Sequence, residues 1–218
     1  MSDEPYYCSA QINIPPEFPE ILKQFTKSAI VTQPKDVLAW AAGYFRALAN
    51  EEVPPVKQRI ELPTVTQKFD SGLTPGNLRI LNKQLGPKKT VEIDTILDYW
   101  QVLHLPKETF DEISRIGNFT GEVNWLNFFA IAISNINENL TDSMKLLCEQ
   151  LTADPEGGAA KIPMQLFVDL YKYLVKIDGE ISDSTVDTAL NHLYYMSEKQ
   201  DGMIMPRNFI APECPPLY

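Results

Sequence analysis

The feature that most constrains this fold is a pair of short amphipathic helices predicted over residues 12–49 and separated by Pro34. Apolar side chains recur every three or four residues in both, which is the helical period. A residue before proline is disfavoured in the α region, so the first helix should end at Gln33. Asp36 is placed to cap the second helix. Isolated helices of roughly 12–15 residues are marginal in water, so both stripes need covering.

Two alternatives remain for what covers these stripes. They could pack on residues 91–210 of the same chain, as ordinary core helices. A free-standing unit of about 40 residues would bury too little surface to be stable without a staple, and Cys8 is the only nearby cysteine. Two such hairpins packed together would form an antiparallel four-helix bundle. The first helices would then lie side by side and form a shallow apolar groove that suits an amphipathic helix.

The stretches IPPEFPEILKQFTKSAI and QPKDVLAWAAGYF resemble the dimerization/docking domain of the type II regulatory subunit of cAMP-dependent protein kinase. That resemblance implies an X-type four-helix bundle that binds a helix of an A-kinase anchoring protein. The implied groove positions are Ile12, Ile14, Pro19, Leu22, Lys23, Thr26, Lys27 and Ile30. The implied dimer core is Phe18, Ile21, Phe25, Val37, Trp40, Ala41, Tyr44 and Phe45. The lysines at the groove edge favour a partner helix with acidic flanks.

Later segments, among them VKQRIELPTVTQK, WLNFFAIA and LTADPEGGAAKIP, resemble the ropporin family of sperm flagella and ciliary radial spokes. The resemblance implies a cytoplasmic protein of the cilium or flagellum axoneme that supports motility, in the radial spoke or the sperm fibrous sheath. Its implied partners are a helix of an A-kinase anchoring protein or a spoke-stalk protein, a second copy or a ropporin-like relative, and a Rho effector. The chain has no counterpart of the kinase subunit's cyclic-nucleotide domains, so we expect docking without kinase regulation.

The helical period continues through most of the chain, so the predicted class is all-α. Residues 125–133 form the most apolar helix and should lie at the centre of the core. A short helix is expected within 77–85, before Gly86-Pro87. The predicted organisation is a flexible N-terminus at 1–11, a docking domain at 12–50, a proline-rich linker at 51–88, a helical C-terminal domain at 89–210 and a tail at 211–218. Val56, Ile60 and Leu62 are the expected anchors of the linker.

A weak repeat inside the C-terminal part predicts degenerate EF-hand-like helix pairs. Each copy has an aliphatic residue after a turn and a phenylalanine five residues later. The copies are Val123 with Phe128, Ile162 with Phe167 and Ile204 with Phe209. A calcium loop needs oxygen ligands at positions 1, 3, 5 and 12 and glycine at position 6. With glycine 202 at position 6, a lysine occupies position 3 and asparagine replaces the glutamate at position 12. The helix pairs make a calcium sensor the alternative function. Because these ligands are missing, we expect no metal site.

Composition and missing motifs exclude other classes. The formal charge of −10 and a pI near 4.7 argue against nucleic acid or an anionic membrane as a partner. No run of 18 apolar residues exists, so no membrane span is expected. Phosphate-loop, dinucleotide and zinc-protease motifs are absent, so we expect no catalytic residue and no cofactor. Cys148 on an apolar helix face is interpreted as an inert core thiol. Residues 215–218 match a PPxY ligand for WW domains, which competes with a chance match.

Overall fold

The computed structural model describes residues 14–60 and 72–218, so Ile12 and Leu62 lie outside the described part. The predicted all-α class is confirmed, since helices dominate this part and the strands span two or three residues. The first three helices are α1 Phe18–Thr32, α2 Val37–Ala49 and α3 Pro75–Leu85. Next come β1 Thr90–Glu92, α4 Ile93–Val102, α5 Lys107–Gly117, β2 Glu122–Asn124 and α6 Trp125–Ser134. The remainder is α7 Leu140–Leu151, β3 Ile162–Pro163, α8 Met164–Asp178, α9 Asp183–Glu198, β4 Met203–Ile204 and α10 Pro206–Ile210.

α1 ends at Thr32 and α2 begins at Val37, on either side of Pro34 as the sequence predicts. Gln33 adopts a left-handed conformation at φ 50° and donates its backbone N–H to the Ala29 carbonyl, which ends α1. The Asp36 carboxylate accepts hydrogen bonds from the N–H groups of Leu38 and Ala39 at 2.9 and 3.0 Å. These bonds satisfy two of the unpaired donors at the start of α2. They also lower the pKa of Asp36, with the Ala39 bond contributing most.

From α3 to α10 the chain forms four helix–strand–helix units joined in two pairs. β1 pairs antiparallel with β2, bringing Val91 opposite Val123, and β3 pairs with β4, bringing Ile162 opposite Ile204. The two pairs share one hydrogen-bond register. The N–H two residues after the first aliphatic residue donates to the glycine carbonyl two residues before the second. These bonds are Ile93 to Gly121 and Met164 to Gly202, both at 2.9 Å.

The three aliphatic residues of the repeat thus lie in the short strands β2, β3 and β4, and its three phenylalanines are buried. Sequence reasoning missed the first copy, in which Val91 lies in β1 and the fifth residue after it is the buried Ile96. It was missed because isoleucine replaces the phenylalanine. A relation to EF-hands stays a prediction, since the likeness lies in the connectivity alone.

The core is centred on α6, as predicted. Seven of its ten residues are buried, and it packs against α3, α5, α7 and α8. Burial on all sides explains why this segment is apolar around its whole circumference. The rings of Trp125 and Phe129 stack at 5.5 Å between centroids, and the Trp125 indole N–H donates to Asn82 Oδ1 at 2.9 Å.

The linker assignment needs correction in two respects. Leu78, Leu81 and Leu85 of α3 are buried in the core of the later helices, so the helical domain begins before residue 89. Pro55 is buried and Val56 half-buried, whereas Ile60 is exposed. The proline-rich segment is therefore anchored by Pro55 and not by Ile60. Proline has no backbone N–H, so its burial at this position leaves no donor of its own unpaired.

The end of the chain packs on the helical domain. Leu217 is buried, and its carbonyl accepts a 2.7 Å hydrogen bond from the Tyr171 hydroxyl. Burial raises the pKa of Tyr171 to about 12, so this hydroxyl stays a donor at neutral pH. The PPLY segment is thus held by its third residue while Tyr218 is exposed.

None of the helices within 14–60 and 72–218 combines the length and hydrophobicity that a membrane-spanning segment requires.

Candidate docking surface

The inner side of the α1–α2 hairpin is an aromatic cluster centred on Phe25. Its ring stacks on Trp40 at 5.4 Å and on Phe45 at 5.0 Å between centroids, and meets Tyr44 edge-on at 5.3 Å. Offset-stacked and edge-to-face contacts of this kind contribute about 0.5–1.5 kcal/mol each beyond burial. The cluster fixes the side of α1 that faces α2, and so determines which side faces solvent.

The solvent side of this hairpin segment has an apolar stripe between polar residues. Ile14, Phe18, Leu22 and Ile30 follow one another at multiples of four residues, with Thr26 in the gap, and we call these five residues the α1 row. Ile14 is 63% exposed, Leu22 41% and Ile30 60%. The Thr26 hydroxyl donates to the Leu22 carbonyl at 2.8 Å, so its polar group is bonded within the helix. Large exposed apolar side chains in one stripe are typical of an interaction surface.

The predicted groove edge is exposed and charged. Pro19, Lys23 and Lys27 are all exposed beside the α1 row. Lys23 Nζ lies 3.4 Å from Glu20 Oε2, one turn away on the same helix. An exposed pair of this spacing contributes only a few tenths of a kcal/mol, about 0.3–0.5, so the lysine can exchange it readily for a partner carboxylate.

A second apolar stripe runs along α2. Val37, Phe45 and Leu48 are exposed and Ala41 half-buried, and we call these four residues the α2 row. Leu38, beside the row, is the most exposed of the large apolar side chains in the described part, at 83%. The rows belong to neighbouring helices whose rings touch through Phe25 and Phe45. The hairpin therefore has an exposed apolar row on each of its two helices.

Two residues assigned to the dimer core are not available to a second copy. Trp40 is 1% exposed and Tyr44 is also buried, both covered by their own chain. The Trp40 indole N–H donates to the Pro55 carbonyl at 2.8 Å. The assignment is corrected for this pair, which forms the hairpin's internal core. The α2 helix is apolar on nearly all sides, so its periodicity could not say which side meets its own chain.

The remaining dimer-core assignments stay predictions. Phe18, Val37 and Phe45 are exposed, and Ile21, Phe25 and Ala41 are half-buried.

A polar cleft of about 790 Å³ lies between α3, α7 and residues 152–160, and sequence reasoning did not anticipate it. Both of its arginines make contacts within the chain. Arg79 donates to the side chains of Gln58 and Gln150 and to the Glu149 carbonyl at 2.6, 3.2 and 3.2 Å, and Arg59 lies 3.2 Å from Glu156. These contacts connect α3 to α7 and to Gln58, and Arg59 to Glu156.

The Cys148 thiol is buried, as expected of a core residue, and burial raises its pKa to about 12. It therefore stays protonated and unreactive.

Each of the turns before β2 and β4 contains a glycine at the place of position 6 in a calcium loop. Gly121 and Gly202 have φ of +62° and +74°, the left-handed conformation that glycine tolerates. The residue at position 12 of the last loop is Asn208, which is buried and accepts the Met205 N–H at 2.9 Å. At position 3, the Lys199 ammonium lies over the Tyr195 ring, 3.9 Å from its centroid. Within the described residues, no group of three acidic, histidine or cysteine side chains could hold a metal ion.

A calcium titration followed by calorimetry should therefore show no saturable heat at micromolar calcium. The physical reason is that Asn208 replaces the bidentate carboxylate and that the Lys199 ammonium occupies a ligand position. A calcium-sensing EF-hand protein in the same buffer is the positive control. Sensor EF-hands bind calcium with dissociation constants of about 10⁻⁷–10⁻⁵ M. Saturation in that range would restore the calcium-sensor interpretation.

The fold and this surface define the class: a helical protein whose exposed apolar rows suit docking. The sequence comparisons give the family. Residues 1–52 match the Ropporin N-terminal domain, residues 76–138 the Ropporin middle domain and residues 139–204 the Ropporin C-terminal domain. The chain belongs to the ropporin family. Membership associates it with sperm and cilia in a structural or docking role, and ropporins are not a known enzyme family.

Proposed function

We propose that this chain is a non-enzymatic docking adaptor that dimerizes through its N-terminal hairpin and binds one amphipathic helix. The observation that carries the proposal is the pair of exposed apolar rows on α1 and α2. Most large apolar side chains of α3 to α10 are buried in one core. The hairpin therefore exposes apolar surface that the other described residues, 50–60 and 72–218, do not cover.

The α2 row supports contact with a second copy. Dimers with two-fold symmetry use the same patch on both subunits, so a row of Val37, Phe45 and Leu48 can cover its own counterpart. Phe45 lies at the centre of this row, where aromatic anchors contribute most to an interface. The partner in this pairing is a second copy or a ropporin-like relative with the same row.

The α1 rows of the two copies would then form the walls of a groove. A row with four-residue spacing matches a helical ligand, because its anchors also recur every three or four residues. Ile14 precedes α1, and Leu22 and Ile30 lie on it, so this row could contact several turns of a ligand helix. The ligand is an amphipathic helix of an A-kinase anchoring protein or of a radial-spoke stalk protein.

The charges beside the α1 row support selection of the partner. Lys23 and Lys27 stand in an acidic chain whose net charge is −10. Acidic residues flanking the apolar face of the ligand helix would pair with them and speed association. In this proposal the adaptor works in the axoneme of cilia or flagella, in the radial spoke or the sperm fibrous sheath, and supports motility.

The test is the stoichiometry of helix capture by the full chain. Sedimentation equilibrium should give a dimer, and calorimetry with a peptide carrying an anchoring helix should give one helix per two chains. A scrambled peptide of the same composition is the control, because it keeps the charge and removes the apolar face. A monomer that binds no helix would overturn the proposal, and so would equal binding of both peptides.

A further inference from the structure

Residues 52–58, which we call the strap, bond to the hairpin on one side. The buried Trp40 indole N–H donates to the Pro55 carbonyl at 2.8 Å. The Lys57 N–H donates to Thr32 Oγ1, at the end of α1, at 3.2 Å. The strap thus contacts both helices of the hairpin, and both Trp40 and Pro55 are buried.

The same strap bonds to three residues of the helical domain. Gln84 Nε2 donates to the Val53 carbonyl at 2.8 Å, and the Tyr99 hydroxyl donates to Glu52 Oε2 at 2.9 Å. Arg79 Nη1 donates to Gln58 Oε1 at 2.6 Å. Burial, together with this bond to Glu52, raises the pKa of Tyr99 to about 12, so the phenol remains a neutral donor. These bonds involve α3 and α4, which are packed in the core.

A direct contact complements the strap. Gly43 lies inside α2, where glycine is a poor helix former, and a Cβ there would collide with the Val102 side chain at the end of α4. Valine on a helix has little freedom to turn away, because its χ1 is restricted. Glycine at position 43 therefore lets α2 approach α4 more closely than any other residue would.

We infer that the strap and the Gly43–Val102 contact fix the docking hairpin on the helical domain in one orientation. Relative motion is the usual expectation for two units joined by a short segment, unless a specific interface holds them. Here residues 52–58 of the connecting segment bond to the hairpin on one side and to the helical domain on the other. The consequence for docking, which rests on the proposed function, is that a helix held on the α1 row lies at a set angle to the C-terminal domain.

The experiment is a distance measurement between spin labels in the full chain. Labels are placed at the exposed positions 24 on α1 and 198 on α9 through Gln24→Cys and Glu198→Cys, in a background with Cys8→Ser and Cys214→Ser. Cys148 is buried and unreactive, so it remains. Labelled protein is mixed with excess unlabelled protein, so that distances between copies do not contribute. The expected result is a single narrow distance distribution for the unmodified hairpin.

Gly43→Ala should broaden that distribution at least about two-fold, since a side chain closer than van der Waals contact loses all attraction and forces α2 away from α4. The double variant Gly43→Ala/Val102→Ala should restore the narrow distribution, because it removes the colliding methyl groups. Helix content by circular dichroism should stay the same, as alanine is the better helix former.

A second variant, Gln84→Leu/Tyr99→Phe, removes two strap bonds without adding bulk and should also broaden the distribution. A broad distribution for the unmodified chain overturns the inference, and so does a width that neither variant changes. Failure of the chain to bind any helix would overturn the proposed function and leave these widths unaffected, so the two failures are distinguishable.

Discussion

Leu22→Asp should weaken binding of an anchoring-helix peptide by at least about 100-fold, which corresponds to about 2.7 kcal/mol. Leu22 lies at the middle of the α1 row and is 41% exposed in the free chain. A bound helix would cover it, so the variant would bury a carboxylate against apolar side chains. An unpaired buried charge is among the most costly substitutions at an interface. Titration calorimetry or fluorescence anisotropy with a labelled peptide measures the change.

The matched control for this variant is Ile116→Asp. Ile116 is also a large aliphatic residue on a helix, and at 40% its exposure is nearly the same, but it lies on α5. The control adds the same charge and loses the same kind of side chain. Because Ile116 lies outside the α1 row, its variant should leave the affinity unchanged. Equal affinities of both variants for the peptide would show that the α1 row is not the binding surface.

Phe45→Ala should shift the full chain from dimer to monomer, with the dissociation constant of the dimer rising at least about 100-fold. Phe45 is the largest side chain of the α2 row, and a symmetric dimer loses it twice. Truncating a buried phenylalanine costs about 3–5 kcal/mol in a well-packed core. Sedimentation velocity over a concentration series measures the shift.

This variant also removes ring contacts within the hairpin, since Phe45 touches Phe25 and Tyr44. Leu48→Asp is therefore the second variant, because that exposed side chain belongs to the same row and makes no ring contact. Tyr195→Ala removes an exposed aromatic side chain of α9 and is the control. Dimerization that survives both Phe45→Ala and Leu48→Asp would contradict the role of the α2 row.

Local chemistry in the sequence was sufficient to predict the local features of this fold. Proline geometry predicted the end of α1 near Gln33, and a carboxylate at the right offset predicted the Asp36 cap. The strongest apolar run predicted the central helix α6. Each of these depends on neighbours along the chain, and that is the range over which periodicity and capping rules act.

The features that sequence reasoning missed depend on contacts between distant segments. Leu78 and Leu81 lie in a stretch that reads as linker, and only the packing of α3 on α6 and α7 shows it to be core. The Trp40 indole bonds to Pro55 in the strap of the same chain, and the helical period of the sequence could not predict that contact. Gly43 was a usable signal, since glycine inside an apolar helix often marks close approach of another element.

The paired loops of the helical domain have a consequence for how such a part would behave in a beating flagellum. Asn208 and Lys199 form contacts within the chain at the residues that would be positions 12 and 3 of a calcium loop. Because these contacts occupy the ligand positions, the domain would keep its length and shape when the calcium concentration changes. It would then serve as a spacer of constant dimensions, and any adjustment of the beat would have to arise in neighbouring parts of the machinery.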